Sequence, residues 1–152
     1  MAASLLDVNA LVALLWPAHV HHATAKKWFS GRARDAWATT ALTQSGFVRI
    51  VSNPAFSRDA VTPTDALRLL AANLKHRGHR FWPAAIGVPD ALARFGERLV
   101  GHRQVTDAYL LALALHHRGR LATFNRGVLA LCGEDDPARE AVELVADEPR
   151  AR

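Results

Sequence analysis

The chain has 152 residues, half of them hydrophobic, enough to bury the core of one domain. Nineteen Lys and Arg against fourteen Asp and Glu give a net charge of +5 and a sequence pI near 10.3, a balance that favours an anionic partner such as nucleic acid. The single cysteine, Cys132, excludes an internal disulfide and a multi-cysteine zinc site, and the longest unbroken apolar run, Ala108 to Leu115, is too short to cross a bilayer.

In chain order, Ala3 to Leu6 reads as a short buried strand. Val8, Leu11, Val12 and Leu15 follow at i, i+3, i+4 and i+7, the spacing of a helix face, and Pro17 stops that helix. Asp7 and Asn9 interrupt this apolar start and no basic residue precedes it, so it does not read as a signal peptide and a cytoplasmic protein is expected. A second helix over about His21 to Ser30 ends at Gly31, and Ala36 to Thr39 reads as a second strand. Thr40 to Ser52 carries Phe47, Val48 and Val51 on one helical face and runs out at Asn53-Pro54. Thr62-Pro63-Thr64-Asp65 has the form of a helix start, with a threonine cap, proline at the first position and an acid three residues after the cap; Leu67, Leu70 and Leu74 continue it. Arg80 to Trp82 reads as a third strand, Asp90 to Leu99 as a helix, and Thr106 to His117 as another helix capped by Thr106. Leu121 to Phe124 and Val142 to Val145 are the last strands. Short apolar strands alternating with crossover helices predict an α/β fold, a parallel sheet covered on both faces. Residues 1–146 form one domain in this reading and 147–152 a frayed tail.

Four polar residues break the apolar pattern. Asp7 stands where the first strand becomes the first helix, and Asp107 stands in the first turn of the helix beginning QVTDAYLLALAL. Gln44 shares a helical face with Phe47, Val48 and Val51. Asn125 ends the strand Leu121 to Phe124, just ahead of Arg126-Gly127. Singly, each has a structural explanation: aspartate caps helices and suits their positive ends, and asparagine near glycine forms turns. Together they mark strand ends and the opening turns of helices. In a parallel sheet those places share one edge, where α/β proteins keep their sites.

Four segments in order, LLDVNAL, TTALTQSGFVRI, HRQVTDAYLLALAL and RLATFNRG, resemble a PIN domain, and most of all the VapC toxins of bacterial toxin-antitoxin pairs. The phrases Asp7-Val8-Asn9, Thr106-Asp107-Ala108-Tyr109 and Thr123-Phe124-Asn125-Arg126 carry the resemblance, which runs from Ser4 to about Val145. It implies a three-layer α/β/α fold around a parallel sheet of about five short strands and an acidic site for Mg²⁺ or Mn²⁺. It also implies hydrolysis of RNA phosphodiester bonds, a VapB-type antitoxin as partner, and a homodimer. The implied site residues are Asp7, Gln44, Asp107 and Asn125, with Asp7 and Asp107 on the metal, Asn125 reaching it through water, and Asn9, Thr106 and Thr123 adding hydrogen bonds.

The chain departs from the family pattern at two of these positions, Gln44 and Asn125, which are amides where Glu and Asp are usual. An amide oxygen can ligate a hard cation but brings no charge, so the site falls from about minus four to about minus two. That makes a two-metal mechanism hard to sustain. The alternative is therefore a PIN-fold protein that binds RNA or an antitoxin and cleaves weakly or not at all. Trp16, Trp28 and Phe29 on the first two helices are candidate anchors for a partner helix, with core packing as the other explanation. Competing sites are weaker. His19, His21, His22, His116 and His117 lack the carboxylate or cysteine spacing of a metal site. A haloacid-dehalogenase-type phosphatase needs an acid two residues after Asp7, where Asn9 stands. No glycine-rich phosphate loop or nucleophile-elbow serine is present.

Overall fold

A strand buried at every residue must be covered on both faces, and the two first strands, β1 (Ser4–Leu6) and β2 (Trp37–Thr39), are of this kind. The structure, a computed structural model, describes residues 2–32 and 35–146. The tail expected to fray, 147–152, lies outside the described residues. With β3 (His79–Phe81), β4 (Arg120–Thr123) and β5 (Val142–Leu144) the strands form one parallel sheet in the order β3-β2-β1-β4-β5. β1 is central, with Leu5 beside Ala38 on one neighbour and Leu121 on the other.

Successive side chains of a strand point to opposite faces, and here that alternation builds two cores. Leu5 and Leu121 face the layer made by α5 (Val88–Ala93) and α6 (Val105–His116). Leu6 and Ala122 face the layer made by α1 (Val8–Leu15), α2 (His22–Ser30), α3 (Ala41–Val51) and α4 (Pro63–Leu74). The result is the three-layer α/β/α arrangement. α6 is the most enclosed helix, buried at every residue from Ala108 to Ala114, which explains why its sequence is apolar all round. Among the described residues no helix is long and apolar enough to cross a membrane.

Several boundaries differ from the sequence reading. β3 begins one residue earlier, at His79, and ends at Phe81; Trp82, placed in it by sequence, still donates its N–H to Thr39 O at 2.8 Å while its side chain packs in the α5/α6 core. The helix expected at 90–99 begins at Val88 and ends at Ala93; a 3-10 turn, Gly96–Arg98, follows, with Gly96 in the left-handed region at φ 53°. Thr106 is not a cap. A 3-10 turn, His102–Gln104, leads directly into α6 at Val105, so Gln104 takes the cap position, and its Oε1 accepts the N–H groups of Val100 and Gly101 at 2.7 and 3.1 Å. Two further 3-10 segments, Arg126–Leu131 and Pro137–Ala141, fill stretches where the sequence shows no element.

Candidate active site

β1 and β4 are neighbours, so the residues that follow them arrive together at the carboxyl edge of the sheet. Asp7 is the first. Its backbone N–H donates to Ala122 O at 3.0 Å, continuing the ladder, and its side chain then turns to cap α1, with Oδ1 accepting the Ala10 N–H at 2.8 Å. The other carboxylate oxygen, Oδ2, accepts a hydrogen bond from the Thr123 hydroxyl. Thr123, fully buried at the end of β4, also accepts the Asn125 N–H at 3.0 Å. It thereby ties the two strand ends to each other.

Asn125 answers to both of its sequence-level explanations. Its Oδ1 accepts the Gly127 N–H at 2.9 Å, the short local turn expected of asparagine. Because that contact fixes the oxygen, the group facing α6 is the amide nitrogen, and Nδ2 donates to Asp107 Oδ2 at 2.9 Å. A single chain of hydrogen bonds therefore runs from the Asp7 carboxylate through the Thr123 hydroxyl and the Asn125 backbone N–H, and on from the Asn125 amide to Asp107.

The electrostatics follow from burial. Asp7 is 4% exposed, and burial pushes its carboxyl up to about 6, with the Asp107 charge adding to the rise and the Thr123 and Ala10 hydrogen bonds opposing it. Burial also raises Asp107, opposed by the Asn125 amide. Two carboxylates are thus held at one corner of the fold, and the charge of Asp107 opposes the ionisation of Asp7. They are hard oxygen donors, of the kind that ligate Mg²⁺ or Mn²⁺. Among the described residues no three His, Cys, Asp or Glu side chains are gathered to hold a metal ion, so this pair and neutral oxygens are the donors available. Such a set suits one cation better than two.

Gln44 stands apart from this chain of contacts. Its Nε2 donates to Thr39 Oγ1 at 2.9 Å, and that hydroxyl also meets His79 Nε2 at 2.7 Å. The polar residue on an otherwise apolar helix face is thus anchored by a strand-end threonine and by His79 on the edge strand. Neither Thr39 nor His79 drew attention in the sequence; the signal available was the Thr39-Thr40 pair where an apolar strand stops. Asn9 is exposed, and it is its backbone N–H that bears on Asp7. Thr106 is exposed one residue before Asp107. The three aromatic candidates are turned into the fold. Trp16 is buried; Trp28 donates from Nε1 to Glu143 Oε1 at 2.9 Å; Phe29 packs edge-on to Trp37 and His76, with ring centres 5.9 and 5.6 Å apart.

A parallel 3-2-1-4-5 sheet with one carboxylate, Asp7, directly after its central strand and a second, Asp107, in the first turn of α6 defines an α/β domain with an acidic site in the crevice at its carboxyl edge. The model of the PIN domain family matches residues 4–134, and the chain belongs to that family. Among relatives, Ribonuclease VapC39 of Mycobacterium tuberculosis is 47% identical over 124 residues, covering 80% of this chain and 88% of that protein. Ribonuclease VapC38 of the same organism is 46% identical over 128 residues, 84% of this chain and 89% of its own. Ribonuclease VapC44 is 42% identical over 125 residues, with 82% and 87% covered.

Proposed function

We propose that this chain is a metal-dependent endoribonuclease, the toxin of a VapBC-type toxin-antitoxin pair, acting in the cytoplasm on RNA phosphodiester bonds. The chain Asp7–Thr123–Asn125–Asp107 carries this reading, since it brings both carboxylates to the sheet edge in a protein similar to named ribonucleases. Asp7 and Asp107 would hold one Mg²⁺ or Mn²⁺, which supplies an activated water and charge neutralisation at the scissile phosphate. The remaining work belongs to the chain itself. Ala10 N–H on Oδ1 and the Thr123 hydroxyl on Oδ2 fix the orientation of the Asp7 carboxylate in which it would meet a cation. Asn125 orients Asp107 without adding charge and is the candidate to hold a metal-bound water. Gln44, anchored through Thr39 and His79, is a second candidate for orienting water, with its Oε1 in none of the described hydrogen bonds.

One observation favours a weaker enzyme. Asn125 offers Asp107 an N–H where the usual family member has a further carboxylate, and this N–H competes with a cation for an Asp107 oxygen. The second reading is thus a PIN-fold protein that binds RNA or its antitoxin with little cleavage. Incubating total RNA with the protein and Mg²⁺ or Mn²⁺, with Asp7→Ala as control, separates them. Cleavage that disappears with chelator and in Asp7→Ala supports the nuclease. RNA left intact by the parent protein at every metal concentration supports the binding protein.

A further inference from the structure

Beside the Asp7–Thr123–Asn125 corner, three loops each contribute rings to one row. Phe124 lies between Thr123 and Asn125 in the chain and packs on the Leu6 and Ala122 side of the sheet. His21, in the loop before α2, stacks on it with ring centres 5.2 Å apart and planes 27° apart. His19 follows at 5.7 Å from His21, and Phe56, in the loop between α3 and α4, at 6.3 Å from His19. His21 and Phe56 are exposed, Phe56 at 40%. The two histidines are held in place locally, the His21 N–H donating to His19 Nδ1 at 3.0 Å. The row therefore leads from Phe124, the residue between Thr123 and Asn125, to the exposed rings of His21 and Phe56.

The chain segments that supply the row are rich in basic residues and poor in acidic ones, with Asp59 beside Arg58 the exception near Phe56. Between Asp7 and Asp59 the only acid is Asp35, and between Asp107 and Glu134 there is none. Arg126 and Arg58, both exposed, stand two residues from Phe124 and Phe56. Fixed aromatic faces interleaved with arginines are how proteins grip unpaired strands: bases stack on the rings while cations follow the phosphates. Half of the row is imidazole, which suits a wet, polar-edged ligand better than the dry apolar face of a partner helix.

We infer that Phe124, His21, His19 and Phe56 form a base-stacking platform that delivers single-stranded RNA to the Asp7–Asp107 site. The inference rests on the nuclease reading above and adds to it the residues that grip the bases of the RNA. Stacking is tolerant of sequence, so the platform selects strand character more than base identity. It also separates two contributions to binding, since rings supply affinity independent of salt and arginines supply the salt-dependent part.

The test uses the full chain carrying Asp7→Asn to prevent cleavage, bound to a short single-stranded RNA with a fluorescent adenine analogue placed at one position at a time. At one or two positions the analogue should be quenched on binding. His21→Ala with Phe56→Ala should abolish that quenching and weaken binding roughly tenfold or more, with an unchanged dependence on salt. His21→Phe, which keeps a ring and loses the imidazole, should retain both signals, and Arg126→Ala should lower the salt dependence while leaving the quenching. Thermal unfolding of each variant, matching that of the parent, shows that the loops remain folded. Quenching and affinity equal to the parent in the His21→Ala, Phe56→Ala protein overturn the platform, as does loss of antitoxin binding with RNA binding intact. Cleavage by the wild-type chain is measured separately. Its absence counts against the nuclease reading, while the binding experiment still decides the platform.

Discussion

Asp7 is pulled in two directions. As the cap of α1 and acceptor from Thr123 it gains from being ionised; buried beside Asp107 it gains from being neutral, and burial wins, with the carboxyl raised from 3.8 to about 6. The sign of the consequence is fixed. Between 3.8 and about 6 the folded chain holds a proton that the unfolded chain has released, so stability from this group is present at low pH and falls as pH rises through that window. The full shift corresponds to about 3 kcal/mol as an upper bound. Asn caps a helix about as well as Asp, so metal-free Asp7→Asn should be more stable than the parent near neutral pH and match it at the acid end. Urea unfolding in chelator across that range checks this; parallel curves for the two proteins would contradict it. Asp107, also raised by burial, adds in the same direction.

Asn125 gives the complementary case at the same scale. Asn125→Asp replaces the N–H that Asp107 now receives with a like charge, so the metal-free protein should lose stability on the order of 1 kcal/mol. Mg²⁺ should restore it by mass action, giving a larger thermal shift than the parent shows. An identical response to Mg²⁺ would make Asn125 a turn residue only. The sequence displayed both roles of this residue but not their division of atoms. Which atom faces Asp107 is decided by the Gly127 N–H, a contact made only once the turn forms.

Among the elements, caps with a local chemical signature were legible and those set by tertiary packing were not. Thr62-Pro63-Thr64-Asp65 starts α4 as its spacing predicts, the Thr62 side chain accepting the Asp65 N–H at 3.2 Å. Thr106 looked equally good as a cap, yet the preceding 3-10 turn carries the helix back to Val105. The anchoring of Gln44 was hidden because it depends on β2 lying beside β3, which brings His79 to Thr39. A contact between elements also bears on the site. At Gly46 in α3 an added methyl would lie 2.7 Å from a Val8 methyl, one residue from Asp7. Val is stiff in a helix, so the overpacking in Gly46→Ala, roughly 1–3 kcal/mol, should exceed the roughly 1 kcal/mol gained in helix propensity. The double variant with Val8→Ala should recover part of the loss. Additive destabilisation in a denaturant cycle would refute the contact.

For the whole molecule, the three layers were legible because Leu5-Leu6 and Leu121-Ala122 each send one side chain to each core. The strand order was not, since periodicity says which residues face inward and nothing about which strands pair; the order β3-β2-β1-β4-β5 is a finding of the structure. The likeness to VapC toxins gives the expectation of a homodimer and a VapB-type antitoxin. Trp16, Trp28 and Phe29 are packed inward, so alanine substitution at Phe29 should cost stability, by about 3–5 kcal/mol if its burial were complete and less at its half-buried position. Loss of antitoxin copurification with unchanged thermal unfolding would restore it as an anchor. Sedimentation of the isolated chain at micromolar concentration checks the dimer, and a strict monomer would contradict it.

The proposal that Asp7 and Asp107 together hold one hard cation used to cut RNA is tested most directly by the rate of cleavage of a single-stranded RNA against Mn²⁺ concentration for the parent, Asp7→Asn, Asp107→Asn and Asn125→Asp. The parent should give a simple saturation curve, both amide variants should lose activity with their folds intact, and Asn125→Asp should saturate at lower Mn²⁺. Cleavage that persists in Asp7→Asn with an unchanged Mn²⁺ curve would contradict it.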